Sequence, residues 1–157
     1  SEVRILEVFT NNPDAGVLKR IKPFGLSGYI FNKTTFTNGN VLKDIKKKQP
    51  DLIILAGFLW KIGVDWIDAF PLKIINIHPS LLPLYKGKDA VGQAMKDNAK
   101  TTGVTVHYVD SGMDTGNIIK QESLDISQLK TRFEIETNIH KIEHKIYKEV
   151  IKQLLEE

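Results

Sequence analysis

Asn76 and His78 stand two residues apart in the run Ile74-Ile75-Asn76-Ile77-His78-Pro79-Ser80-Leu81-Leu82-Pro83, where a β-branched stretch ends in an amide, an imidazole and a proline-locked turn. On an extended strand, residues i and i+2 leave the same face, so the two polar groups point together. The carboxyl end of a strand in an open α/β sheet is where ligands bind. A second cluster supplies carboxylates: Thr105-Val106-His107-Tyr108-Val109 reads as a strand that runs into the glycine-punctuated loop Asp110-Ser111-Gly112-Met113-Asp114-Thr115-Gly116. An imidazole, an amide donor and a carboxylate are the equipment of acid–base chemistry. A lone histidine at a strand end is more often a satisfied structural group. Asn76 before it and the loop after it, which presents the two carboxylates Asp110 and Asp114, make Asn76, His78 and that loop the candidates for chemistry. His107 lies among alternating apolar neighbours and reads as structural, bonding to the site from behind.

The elements that must hold these residues alternate. Arg4 to Thr10 reads as a strand, and Asn12-Pro13-Asp14 opens a helix that runs through Arg20. Gly28 to Phe31 is a short strand, and Asn38 to Gln49 a helix stopped by Pro50. Asp51 to Phe58 is nearly all apolar, as a strand covered on both faces must be. Gly63 to Phe70 is a brief helix, Lys73 to His78 a strand and Asp89 to Asn98 a helix, with strands following at Val104 to Val109 and Ile118 to Gln121. Leu129 to Leu155 closes the chain as a long helix whose Ile139, Ile142, Ile146, Val150 and Leu154 recur at three and four, one stripe for packing on a sheet. The pattern is α/β, doubly wound, with a mostly parallel sheet, in a single domain over residues 1–157.

Composition narrows the classes. The chain of 157 residues has no cysteine, so disulfides and thiolate-held metals are excluded. No apolar run approaches the roughly 20 residues that span a bilayer. The net charge of +3 comes from dispersed lysines, and the one cluster, Lys46-Lys47-Lys48, reads as a solvated helix end rather than a nucleic-acid patch. The expectation is a cytoplasmic protein with no nucleic-acid or membrane partner.

Leu55-Ala56-Gly57-Phe58, Asn76 to Pro83, Gly103 to His107, Asp110 to Gly116 and Ile142-Glu143-His144 fall in one order along the chain. That order resembles the folate-dependent formyltransferases, and within them the glycinamide ribonucleotide formyltransferases of purine biosynthesis. Several blocks in sequence are far more specific than one short motif. The deformylases that hydrolyse formyltetrahydrofolate usually carry a second His where Pro79 stands, and the methionyl-tRNA formyltransferases usually carry Gly there and a further domain. Pro79 and the short chain favour the purine branch.

The resemblance implies a Rossmann-like formyltransferase architecture and formyl transfer from 10-formyltetrahydrofolate, the co-substrate, to the amine of glycinamide ribonucleotide. It needs no metal, and a homodimer is compatible with it. Negative charge develops on the formyl oxygen, and Asn76 and His78 are suited to receive it, one such donor being worth about 3 kcal/mol. Asp114 is expected to keep an imidazolium on His78 available and to hold a water that relays the proton from amine to leaving nitrogen. The resemblance places Leu59, Trp60, Lys61, Ile62, Ile67, Asn76, Val109, Asp110, Ser111, Gly112 and Met113 around the folate, and Gly57, Pro79, His140 and Glu143 around the ribonucleotide.

Three departures accompany it. Trp60 and Lys61 stand where relatives often have Met-Arg or Arg-Leu types, and Thr34 to Asn40 lacks an arginine that many relatives use toward the folate. The chain also starts beyond the first strand and glycine-rich phosphate loop normal to the family, and contains no G-x-G. It is therefore expected to be N-terminally incomplete, binding reduced folates better than the ribonucleotide. Hydrolysis of the same folate and an inactive folate-binding fragment are the alternatives. His140-Lys141-Ile142-Glu143-His144 also fits an inverted zinc-peptidase pattern, but no third protein ligand announces itself, so the pair reads as surface histidines.

Overall fold

The computed structural model describes residues 2–156. Contacts group the chain into two compact units, one up to Pro50 and one from Asp51 on. Each unit has a sheet of its own.

In the first unit β1 (Val8–Thr10) pairs in parallel with β2 (Gly28–Ile30), with Val8 opposite Gly28 and Thr10 opposite Ile30. The crossover is α1 (Gly16–Ile21) and a 3₁₀ turn, Lys22–Phe24. Gly28 leaves room for the end of the Leu18 side chain, which a Cβ there would displace. Two helices follow, α2 (Lys33–Thr37) and α3 (Asn40–Lys48). Asn32 caps α2 reciprocally: its Oδ1 accepts from Thr35 N–H at 3.0 Å, and Thr35 Oγ1 accepts from Asn32 N–H at 3.2 Å. Val41, Leu42 and Ile45 are the buried stripe of α3.

Several boundaries differ from expectation. The first strand is confined to Val8–Thr10, and Val3, Ile5 and Leu6 are exposed, so apolar character before Glu7 buys no ladder. Residues 12–15 form a turn, with Asn12 Oδ1 accepting from Asp14 N–H at 2.9 Å, which delays α1 to Gly16. The β-branched Thr34, Thr35 and Thr37 hid α2, a capped turn that starts before the expected helix.

The second unit is built on a four-stranded sheet in the order β3-β4-β5-β6, formed by Ile53–Leu55, Ile74–His78, Thr101–Tyr108 and Ile118–Asp125. β3 and β4 are parallel, while β5 runs antiparallel to both β4 and β6. α4 (Val64–Ala69) connects β3 to β4, and α5 (Ala90–Lys96) lies between β4 and β5. The long helix α6 (Arg132–Glu156) lays Ile135, Ile139, Ile146 and Val150 against Ile75, Val104 and Val106 of the sheet, the core of this unit. Ile142 and Leu154 flank that stripe, as the spacing requires. α6 begins at Arg132 because Thr131 and Glu134 cap it: Glu134 Oε2 accepts from Thr131 N–H at 2.8 Å and Thr131 Oγ1 from Glu134 N–H at 3.2 Å. β3 is shorter than the apolar run around it and Ile54 is 43% exposed, so coverage on both faces does not hold there.

Candidate active site

The parallel pair β3–β4 ends at Leu55 and Asn76, which face each other in register, and beyond it a cavity of about 750 Å³ opens. Its size suits a drug-sized ligand. Asn76 and His78 reach it from the end of β4, and His107 from β5, where it pairs with Asn76 across the antiparallel ladder. An irregularity between Val106 and His107 shifts the β5–β6 register at that point.

His78 is buried, at 6% exposure. Its Nε2 donates to the Tyr85 carbonyl at 2.8 Å, and its Nδ1 faces Asp114 Oδ2 at 3.4 Å. The short bond anchors the ring through one nitrogen, and the longer separation leaves the other as the working nitrogen. His107 is arranged in the same way, with Nδ1 donating to the Tyr108 carbonyl at 2.8 Å and Nε2 3.5 Å from both Asn76 Nδ2 and Asp114 Oδ1. His107 Nε2 thus stands between the Asn76 amide and Asp114, able to accept from the amide NH2 or to donate to the carboxylate according to where its proton sits.

Asp114 sits at φ 54°, a left-handed position that a short polar residue tolerates. Gly87 N–H donates to its Oδ2 at 2.8 Å. Burial pushes its carboxyl up, but the His107 contact, the Gly87 N–H and the charges of His78 and His107 outweigh that and hold it below the ordinary carboxylate value. Asp110 organises the same loop, its Oδ1 accepting from Thr115 Oγ1 at 2.6 Å and Gly112 N–H at 2.9 Å. Those bonds, Thr115's first, lower its carboxyl as well. Gly116 closes the loop against the Tyr108 carbonyl so tightly that a Cβ would overlap it.

Two further walls complete the cavity. One is the segment from Gly57 through Leu59, Trp60 and Lys61 to the buried Ile62, facing Val109, Asp110, Gly112 and Met113. The other is α6, which presents Arg132, Glu136, His140, Glu143 and Tyr147, one face at helical spacing. Tyr147 Oη donates to the Leu55 carbonyl at 2.6 Å and lies 3.2 Å from that of Ile75, tying this helix to the end of β3 and to the adjacent part of β4. Burial raises the Tyr147 phenol far above its ordinary value, and raises the Glu143 carboxyl against the lowering effect of His140 and His144.

The family model described as formyl transferase matches residues 1–151. The chain belongs to that family. It is 45% identical over 151 residues to the phosphoribosylglycinamide formyltransferase of Bacillus subtilis (strain 168), a match covering 92% of this chain and 77% of that protein. The crystal structure of phosphoribosylglycinamide formyltransferase from Bacillus halodurans superposes with a TM-score of 0.86 at 38% identity, over 92% of this chain and 77% of that one. The enzyme of the same name from Streptococcus pneumoniae TIGR4 gives 0.89 at 34% identity, over 95% and 86%. The α/β formyltransferase architecture is thus the one this sequence adopts.

Within this formyl transferase, the sequence-derived candidates mostly converge. Asn76, His78, Pro79 and Asp114 meet at one end of the cavity, and the expected folate and ribonucleotide residues line it, Gly57, His140 and Glu143 included. Ile67, on α4, and Ser111 stand outside the lining. His107, read as structural, lines it and touches both Asn76 and Asp114. Arg132 and Asp89 carried no motif, yet they also line it as an ion pair at 2.6 Å between the start of α6 and the cap of α5. Among the described residues no three His, Cys, Asp or Glu side chains gather as metal ligands. No helix among them is long and apolar enough to cross a membrane.

Proposed function

We infer that the chain transfers the formyl group of 10-formyltetrahydrofolate to the amine of glycinamide ribonucleotide, a step of purine biosynthesis, with Asn76, His78 and Asp114 as its catalytic residues. The observation that carries this is a coincidence of place. In a chain matched as formyl transferase over residues 1–151, an amide NH2, two anchored imidazoles and a low-lying carboxylate meet at the end of β4 inside the cavity. The similar proteins from B. subtilis and B. halodurans both bear the name phosphoribosylglycinamide formyltransferase.

The reaction asks three things of these groups. The amine lone pair forms a bond to the formyl carbon while the carbonyl π pair moves onto oxygen. Asn76, whose amide lies beside His107, and His78, through Nδ1 when it carries the second proton, donate to that oxygen. Collapse of the intermediate breaks the carbon bond to N10, and the proton lost by the amine reaches N10 through a water held by the Asp114 carboxylate. Asp114 stays ionised because its carboxyl lies below the ordinary range, so it is available to hold that water.

The reduced folate fits against Leu59 to Ile62 on one side and Val109, Asp110, Gly112 and Met113 on the other, an apolar wall with backbone polar groups. Glu143 and His140 on α6 face the ribonucleotide, with Gly57 and Pro79 beside the reacting amine. Cytoplasmic work and small-molecule partners go with this reading. The test is formyl transfer measured with and without the ribonucleotide. Turnover is expected only when the ribonucleotide is present, and release of formate in its absence would overturn the assignment.

A further inference from the structure

The turn that follows β4 is held by side chains with no part in the chemistry above. Thr105, fully buried on β5 and opposite His78 in the ladder, donates its hydroxyl hydrogen to the Ser80 carbonyl at 2.7 Å. The same oxygen accepts from Leu82 N–H at 3.1 Å and from Gln121 Nε2 at 2.9 Å. Gln121, its neighbour across the β5–β6 ladder, directs its other Nε2 hydrogen to the Leu82 carbonyl at 2.9 Å. Ser80, also fully buried, donates to the Leu84 carbonyl at 2.6 Å. A hydroxyl has one hydrogen and two lone pairs, so every direction in this network is determined. Four backbone groups of the turn are thereby satisfied without a strand partner.

The next residue along the turn is Tyr85, whose carbonyl receives the His78 Nε2–H. The network therefore ends on the imidazole at the centre of the site, although neither Thr105 nor Gln121 lines the cavity. An imidazole has a broad torsional well about its ring bond and swings unless something anchors one nitrogen.

We propose that Thr105, braced from outside by Gln121, is a positioning residue for formyl transfer: it fixes the turn at residues 79–84, and through the Tyr85 carbonyl it fixes the orientation and tautomer of His78. This rests on the catalytic role given to His78. Thr105 acts on a proton donor aimed from a distance, where a displacement of about 1 Å costs on the order of a hundredfold in rate.

The test compares Thr105→Val, which keeps the shape and loses the hydroxyl, with Thr105→Ser, which keeps the hydroxyl. Gln121→Met is added because Gln121 lies on the surface and its loss leaves the core intact. Thr105→Val is expected to lower kcat by roughly thirtyfold and Gln121→Met by roughly fivefold, with both KM values within about twofold of the parent and Thr105→Ser near normal. The double variant should be no worse than Thr105→Val alone, because one path carries both effects. In imidazole proton spectra the hydrogen-bonded His78 Nε2–H signal should persist in Thr105→Ser and vanish in Thr105→Val. Parent-like kcat and an unchanged His78 signal in folded Thr105→Val and Gln121→Met would overturn the proposal while leaving formyl transfer standing. A parent protein with no transferase activity would remove the His78 role and this inference with it. Should Thr105→Val not fold, Gln121→Met and Thr105→Ser still decide the matter.

Discussion

Asn76 and His78 are assigned to charge that exists mainly in the transition state, so their removal should act on turnover rather than on binding. Asn76→Ala and His78→Ala are each expected to lower kcat by about a hundredfold or more and to disturb folate affinity far less, as steady-state kinetics with a separate folate titration would show. Near-normal turnover in either would make that residue structural. These two residues were legible because strand spacing put them on one face and a proline turn marked the strand's end. His107 was legible only as a structural group bonding to the site from behind, since alternation along β5 gives it a core position, and which site groups it meets follows from its pairing with Asn76 across the ladder. Pairing partners are a property of topology, which a local pattern does not contain.

Glu143 carries a second prediction at this scale. Burial raises its carboxyl above the ordinary value of 4.5, so between that value and its own the folded chain binds more protons than the unfolded one. Stability is then fully present below 4.5 and is lost as pH rises through the folded value. Glu143→Gln should accordingly raise Tm at pH 7.5 by about 1–2 °C, with the gain shrinking toward pH 4.5, while the KM for the ribonucleotide rises. Melting curves across pH, set beside the kinetics, check both halves.

Among the elements, the loop after β5 is the most exacting. Gly116 packs on the Tyr108 carbonyl with no room for a Cβ, and the obstacle is backbone rather than a movable side chain. Gly116→Ala is expected to displace Asp110 and Asp114 together, weakening folate binding and lowering kcat, whereas Gly25→Ala, which meets only open space at φ +69°, should cost roughly 1 kcal/mol of stability and leave kinetics alone. Equal kinetic effects from the two would contradict this. The periodic elements were legible in proportion to their length. α6 showed its stripe plainly, and even there the start moved from Leu129 to Arg132 because the Thr131–Glu134 cap is a local bond that hydropathy does not register. Short elements were the obscure ones: β1 and β3 are three-residue strands inside longer apolar runs, and α2 is held by a cap rather than by a stripe.

For the whole molecule, the histidine pattern on α6 makes a test of its own. His140 and His144 lie one turn apart on a helix that lines the cavity, but among the described residues they gather no further ligand, and the mechanism proposed above assigns the electrophilic help to N–H donors. Activity is expected to survive exhaustive chelation, with no stoichiometric zinc in the purified protein by elemental analysis. One equivalent of tightly held zinc, with activity lost on its removal, would recast α6 as a metal-binding element.

The Tyr147 bridge from α6 to the carboxyl end of β3 and to Ile75 of β4 has an optical consequence. Above the ordinary phenol value of 10.0, an unfolded chain releases this proton while the folded one keeps it, so alkali draws the protein toward unfolding. In an alkaline absorbance titration of a protein with four tyrosines, the phenolate of Tyr147 should therefore arrive late, together with the loss of helical signal. That step times the moment α6 leaves the sheet, and with it the moment the cavity loses a wall.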